Sequence, residues 1–404
     1  MQREKMNLRL PRIDLNSLIT SLSAALDLEH ANITEHSQRV AYIALRIGDA
    51  YGLRDRDRQN LFFAALLHDV GISSLEEKLA VRELDWILDP KHGERGSKML
   101  AVFPPFEEIA EIVKYHHEKW KNLNQKKLKL TRNRVLTNLI CLADRIELSL
   151  DRRREILSQR KRIAENLLPL ANKCIKPELI ECFQKVSEKE SFWFDLWSPY
   201  LPDSLRDYGH SRTLFIDMAG LKKVVSIFSG IVDNKSRFTE EHSLEVARII
   251  TKVAKKMNFS GYDCDLMEIA GHLHDLGKLS VPDKILNKPT RLTPEEFNVI
   301  KRHPYFTYHI LDMIEGFESI RDWAGLHHEN LKGEGYPFHL DGYHLSLGSR
   351  ILAVTEIYQA LNQHRPYRPA MSRKDVWKVL DKEVKNKVLD GEVVKVLKEM
   401  ADEL

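Results

Sequence analysis

At 404 residues, 43% hydrophobic and 30% charged, the sequence has the composition of a soluble globular protein, too long for one typical core and suited to two domains of roughly 200 residues each. Lys plus Arg (62) nearly balances Asp plus Glu (59), which excludes a global field for long nucleic acid or a membrane surface; any phosphate recognition is local. Cys141, Cys174, Cys182 and Cys264 form no CxxC pair, no apolar run reaches the roughly 18 residues of a membrane span, and the start MQREKMNLRLPRIDLN lacks a signal-peptide core, so a cytoplasmic protein with reduced thiols is expected.

Along the chain, apolar residues recur at three and four positions. Val40, Ile43 and Ile47 predict an amphipathic helix in the first half, and Val246, Ile250, Val253 and Met257 predict its counterpart in the second. Loops are marked by 103-FPPF-106, 199-PYLPDS-204, 287-NKPTRLTPEE-296 and 333-GEGYPFHLDG-342. Within the third of these, Thr293-Pro294-Glu295-Glu296 reads as an N-cap, a proline at the first helical position and first-turn acids. Alternating strand patterns are nearly absent, and the expected class is all-α.

Polar residues disclose an internal repeat. His36, His68-Asp69, His92, His116-His117 and Asp144 occur in that order, and His242, His274-Asp275, His303, His327-His328 and Glu356 repeat it. From His36 to His68 and from His242 to His274 the interval is 32 residues, and from His92 to His116 and His303 to His327 it is 24. Flanking words agree: EHSQRVAYIALRI with EHSLEVARII, and 175-IKPELIECF-183 with 389-LDGEVVKVL-397. The reading is a duplication with a boundary near 191-SFWFDLWSPYLPDS-204, giving domains 1–195 and 196–404.

A lone histidine on an apolar helix face is usually a core residue bonded to a carbonyl. Five histidines and two carboxylates in one order, twice, point instead to metal. Neighbouring residues on a helix diverge by roughly 100°, so an HD or HH pair can address two ions, and the Asp275 carboxylate between them can bridge. A mixed imidazole and carboxylate shell suits iron, manganese or another first-row metal. Two such ions can lower the pKa of a water and clamp the entering and leaving oxygens of a phosphodiester. Lys278, three residues past Asp275 and about one helical turn along, could neutralise charge on a phosphoryl group, or could be a helix-end lysine paired with the dipole; the first half has Ile72 there.

The second half, from Asp233 to Arg368, resembles the HD-GYP domains, a branch of the HD phosphohydrolases. The matching words are 233-DNKSRFTEEHS-243, 274-HDLGKLSVPDKILNKPTRLTPEEF-297, 303-HP-304, 327-HHENLKGEGYP-337, 349-SRILAVTEIYQAL-361 and 365-RPYR-368. The resemblance implies an all-helical phosphodiesterase holding two divalent metal ions, iron or manganese, that hydrolyses a cyclic dinucleotide. It implies His242, His274, Asp275, His303, His327, His328 and Glu356 as metal ligands, with Asp275 and Lys278 catalytic. Lys278, Arg365 and Arg368 would contact substrate phosphates, and Tyr336 of the Gly335-Tyr336-Pro337 loop would lie near the site or a guanine.

Cyclic di-GMP, cleaved to pGpG or GMP, is the first expectation and 3′,3′-cyclic GMP-AMP the second. A non-hydrolysing receptor or scaffold and a nucleoside triphosphate hydrolase are the rivals. The sequence departs from the family pattern at Glu356 and Gln359, where aspartates are usual, and at Phe238, where trinuclear members carry a glutamate. The first half is similar to the wider HD group through His36, His68, Asp69, His92, His116, His117 and Asp144, which would form a second metal site. It has 116-HHEKWKNLNQKKLKL-130 in place of the GYP loop and 152-RRR-154 near the place of RPYR. It is expected to be weak or inactive, a regulatory or packing partner, with signalling-protein partners or a homodimer left open.

Overall fold

Helices make up nearly all the regular structure. The computed structural model describes residues 13–28, 35–72, 77, 91–123, 125–126, 128–129, 131–209, 214–235, 242–363 and 369–402. Among these the strands are Ile13–Asp14 and Phe215–Ile216, an antiparallel pair with Ile13 opposite Ile216 and Asp14 opposite Phe215. The all-α expectation holds apart from that short ribbon.

Two compact units form, divided at Ser21/Leu22 and at Thr213/Leu214. The first runs from Leu22 to Thr213; the second joins Met1–Ser21 to Leu214–Leu404. The stretch 191–204 contributes core to the first unit. On the helix Glu190–Trp197, Phe192 and Trp193 are fully buried, with the Phe192 ring 5.8 Å from Tyr42 and the Trp193 ring 6.2 Å from Phe183. Aromatic side chains of this size dominate core energetics, which makes the segment a packing element and not a linker.

In the first unit the helix His36–Tyr51 buries Val40, Ile43 and Ile47 completely, the stripe expected from their spacing. It packs on the helices Asp55–Leu66 and Thr131–Leu148. In the second unit the helix His242–Lys256 buries Val246, Ile250 and Val253 against the helices Gly261–Leu273 and Leu347–Asn362. Each such side chain stabilises its helix by about 1.5–3 kcal/mol relative to exposure. Thr293 caps the helix Pro294–Ile300 as its sequence predicts: its hydroxyl accepts from Glu296 N at 3.2 Å and its own N–H donates to Glu296 Oε2 at 2.7 Å.

The local backbone at the HD pair differs from expectation. The helix Gly261–Leu273 stops one residue short of His274, and Leu276–Ser280 forms a 3₁₀ turn, where three residues per turn place positions i and i+3 above one another. Lys278 N donates to Asp275 O at 2.8 Å, and in the first unit Ile72 N donates to Asp69 O at 2.9 Å. The cause is a close approach from the next histidine-bearing helix. A Cβ on Gly277 would lie 2.0 Å from the His303 carbonyl oxygen, and one on Gly71 would lie 2.0 Å from that of His92. Only glycine admits this contact. Thr307 fastens it by accepting from Gly277 N at 2.9 Å while donating to the His274 carbonyl at 3.0 Å.

Candidate metal centre

Every histidine and acid expected in the second unit converges. His242 begins one helix, His274 and Asp275 follow another, His303 opens the helix Arg302–Asp312, His327-His328 follow Glu318–Gly325, and Glu356 faces inward from Leu347–Asn362. Ligand atoms group as His242, His274 and Glu356; as His274, Asp275 and His327; and as His303, His327 and His328, each set within 4.8 Å. Asp275 faces both sides of the cluster. Its Oδ2 lies 3.7 Å from His242 Nε2 and 3.2 Å from His274 Nε2, while Oδ1 lies 3.5 Å from His303 Nε2. Glu356 Oε2 sits 3.2 Å from His242 Nε2 and 3.5 Å from His274 Nε2.

Ring orientation follows from the helix ends. The Nδ1 atoms of His274, His303 and His327 lie 2.7, 2.8 and 2.6 Å from the carbonyls of Gly271, Ile300 and Ala324, each three residues earlier. A carbonyl can only accept, so Nδ1 carries the proton and the Nε2 lone pair of a neutral ring is left for a ligand. His303 Nε2 and His327 Nε2 then face each other at 3.1 Å, two lone pairs in contact unless a cation lies between them. His274 Nε2 and Glu356 Oε2 are buried and, at 3.2–3.5 Å from their imidazole and carboxylate neighbours, make no well-aligned hydrogen bond. The donor set fits divalent metal.

Protonation states agree. Burial alone would raise the Asp275 carboxyl, but the His274 imidazole and the Lys278 ammonium hold it well below the usual carboxylate range. Burial likewise opposes ionisation of Glu356, yet His242 and His274 pull it well below normal. Burial and the neighbouring His328 push His303 down to about 3, and burial pushes His328 down to about 4 and His327 well below normal. Burial would lower His274 too, but Asp275 and Glu356 raise it to about 10. Ionised acids and neutral imidazoles are the forms that bind metal; His274 is the exception, charged beside the two acids, and would give up its Nε2 proton to coordinate an ion.

Lys278 Nζ lies 2.5 Å from Asp275 Oδ2, directly on the histidine and carboxylate cluster. Tyr336 stacks on His328 with ring centroids 4.8 Å apart and 29° between planes, and its N–H donates to the His328 carbonyl at 3.1 Å. That closeness depends on Gly335, whose Cβ would meet the Glu329 Cα and the His328 carbonyl oxygen at 2.5 Å. Arg365, Arg368 and Phe238 lie outside the described residues.

Two contributors escaped the sequence reading. Buried Glu329 accepts three backbone N–H groups, from Phe338 at 2.6 Å and from His339 and Leu340 at 3.1 Å, and so ties the GYP loop to the HH pair. Its position immediately after His327-His328 was the available signal. Gln363 places its side-chain amide 3.1 Å from His242 Nδ1.

The first unit repeats the plan. Asp69 Oδ2 lies 3.7 Å from His36 Nε2 and 3.5 Å from His68 Nε2, and Oδ1 lies 3.9 Å from His116 Nε2. Ligand atoms of Asp69, His92, His116 and His117 gather within 4.8 Å, as do those of His36, His68 and Asp69. Asp144 stands 3.5 Å from His36 Nε2. Two differences set this centre apart. Ile72 supplies no charge, and Glu147, at the place of Gln359, binds His36 Nδ1 at 2.7 Å while Arg39 Nη2 donates to its other oxygen at 2.8 Å. Burial raises Asp144, whereas its counterpart Glu356 is held ionised.

The HD domain family matches residues 226–393 and, a second time, residues 33–149. A Vibrio cholerae protein named 3′3′-cGAMP-specific phosphodiesterase 1 is 30% identical over 398 residues, covering 95% of this chain and 91% of its own length. The cyclic di-GMP phosphodiesterase response regulator RpfG of Xanthomonas campestris is 33% identical over 151 residues, 37% of this chain and 40% of its own length. A crystal structure of a cyclic GMP-AMP-specific phosphodiesterase from V. cholerae shares the fold, with a TM-score of 0.69 and 23% identity over 98% of this chain and 99% of that one. Two helical units, each closing on one histidine and carboxylate cluster, define a tandem HD-domain protein. The chain belongs to the HD-domain family, with the HD-GYP cyclic-dinucleotide phosphodiesterases as its relatives.

Proposed function

We propose that the second unit hydrolyses a phosphodiester of a cyclic dinucleotide, with 3′,3′-cyclic GMP-AMP the preferred substrate and cyclic di-GMP second. This reverses the order expected from sequence, because similarity to the cyclic GMP-AMP-specific relative runs through both units while the cyclic di-GMP relative matches little more than a third of the chain. The observation that carries the hydrolytic reading is the placement of the two Asp275 oxygens on opposite sides of one buried imidazole cluster.

His242, His274, His303, His327, His328, Glu356 and the bridging Asp275 would hold two divalent ions, iron or manganese. When bound, such ions activate water and neutralise phosphoryl oxygens. Asp275 orients the centre through both oxygens. Lys278 meets negative charge developing on the phosphoryl group, Tyr336 covers the His328 edge, and Arg365 with Arg368 hold the substrate's phosphates. The first unit lacks the Lys278 charge and the GYP loop, and serves as a regulatory or packing partner that holds metal with little turnover.

No helix among the described residues is long and apolar enough to cross a membrane. The test is a panel of 3′,3′-cyclic GMP-AMP, cyclic di-GMP and nucleoside triphosphates, assayed with ferrous or manganous ions under anoxic conditions. Asp275→Ala is expected to abolish hydrolysis with helical content retained, and Asp69→Ala to leave most of it. Binding without product would assign a receptor role instead, and full turnover in Asp275→Ala would remove the mechanism.

A further inference from the structure

The first unit carries an open cleft of about 550 Å³ lined by Glu147, Asp151, Arg152, Arg153, Arg154, Arg162 and Trp197. That volume falls within the roughly 300–1,000 Å³ typical of small-molecule sites. Four arginines face two carboxylates, a local positive excess in a chain whose formal net charge is only +3. Both carboxylates are already engaged. Asp151 takes Arg153 Nε at 3.1 Å and Arg154 Nε at 3.4 Å, and Glu147 takes His36 and Arg39. Arg162 Nη2 donates to the Ser149 carbonyl at 2.8 Å, which fixes its guanidinium at the rim. One wall is the half-buried Trp197 ring, with the Arg39 guanidinium carbon 5.7 Å from its centroid.

Guanidinium forks match phosphate oxygens, and an indole face suits a purine or pyrimidine base. We propose that this cleft is a nucleotide-binding site of the first unit, with the phosphate on Arg152, Arg153, Arg154 and Arg162 and the base against Trp197. The site is separate from the residues assigned above to hydrolysis. It also has a route to the first metal centre: Arg152 Nη2 lies 4.0 Å from Glu147 Oε1, and Glu147 Oε2 holds His36. A phosphate competing with Glu147 for arginine would be felt at His36.

Calorimetric titration of the full-length protein with 5′-GMP, 5′-AMP and inorganic phosphate tests this. Arg153→Glu/Arg154→Glu reverses two side chains that are 90% and 67% exposed, so the fold is spared. In this variant a nucleotide-binding component should weaken at least about tenfold, the difference made by one or two charge-assisted contacts. Trp197→Leu should weaken nucleotide binding and leave inorganic phosphate binding unchanged; if that variant fails to fold, the exposed double variant decides. Nucleotide binding unchanged by the double reversal overturns the proposal. So does inorganic phosphate binding as tightly as either nucleotide, or wild-type protein that takes up none of the three.

Discussion

Asp275 and Lys278 lie three residues apart, and the 3₁₀ turn that joins them makes the lysine part of the histidine and carboxylate cluster instead of a helix-end counter-charge. Lys278 has two conceivable duties, holding Asp275 in place or meeting charge on the substrate, and they separate on substitution. Lys278→Met keeps most of the side-chain length and removes the charge. If the lysine acts on the phosphoryl group, kcat falls on the order of 100-fold, the usual cost of losing one charge-stabilising donor, while metal content by elemental analysis stays at the wild-type level. A variant whose turnover falls only in step with its metal content, and returns when metal is added back, would assign Lys278 to Asp275 alone. The identity of this pair was legible in sequence because the residues lie within one turn of each other and the first half has Ile72 where the lysine stands. For Glu329 the sequence offered only its place after His327-His328, and its role stayed hidden because its partners are the backbone N–H groups of Phe338, His339 and Leu340, which no side-chain pattern records.

At the level of elements, spacing disclosed the helices but not where they stop. Val246, Ile250 and Val253 announce a helix by their period, and the structure buries all three. The same period carried through 266-LMEIAGHLHDLGKL-279 suggests one continuous helix, whereas the backbone changes to a 3₁₀ turn after Asp275. The deciding contact joins Gly277 to His303, 26 positions further along the chain, and so lies beyond local periodicity. Gly277→Ala tests that account. The new methyl would overlap the His303 carbonyl, and overpacking of this kind costs about 1–3 kcal/mol. Since His303 moves with its carbonyl, metal affinity should drop at least tenfold, read by competition with a chelator. Gly71→Ala should lower stability similarly through His92 yet leave hydrolysis near wild type. Tight metal binding in Gly277→Ala would show that the helix position is not set by this contact.

Across the whole molecule, both units bury imidazoles that stay neutral when folded, and this makes stability of the chelator-stripped protein depend on pH in a definite direction. Burial pushes His116 and His303 down to about 3 and His328 to about 4, and lowers His92, His117 and His327 as well. In the unfolded chain these rings take up protons near pH 6.5. Below that value the unfolded state binds more protons than the folded one, so stability falls as the solution is acidified. Each ring that remains neutral contributes about 1.4 kcal/mol per pH unit through this window. Opposing shifts do not cancel the effect: His274, raised to about 10, and His36, raised against burial by Glu147, are protonated in both states below pH 6.5 and stabilise the fold there, losing that contribution only above it, and they are two rings against six. Asp275 and Glu356, held low, lose theirs only below the normal carboxylate range. Urea unfolding of the stripped protein followed by circular dichroism should therefore give a lower midpoint at pH 5.5 than at pH 7. A midpoint that stays level or rises would mean that the clustered imidazoles are not buried neutral, and with that the ligand geometry of both centres would have to be redrawn.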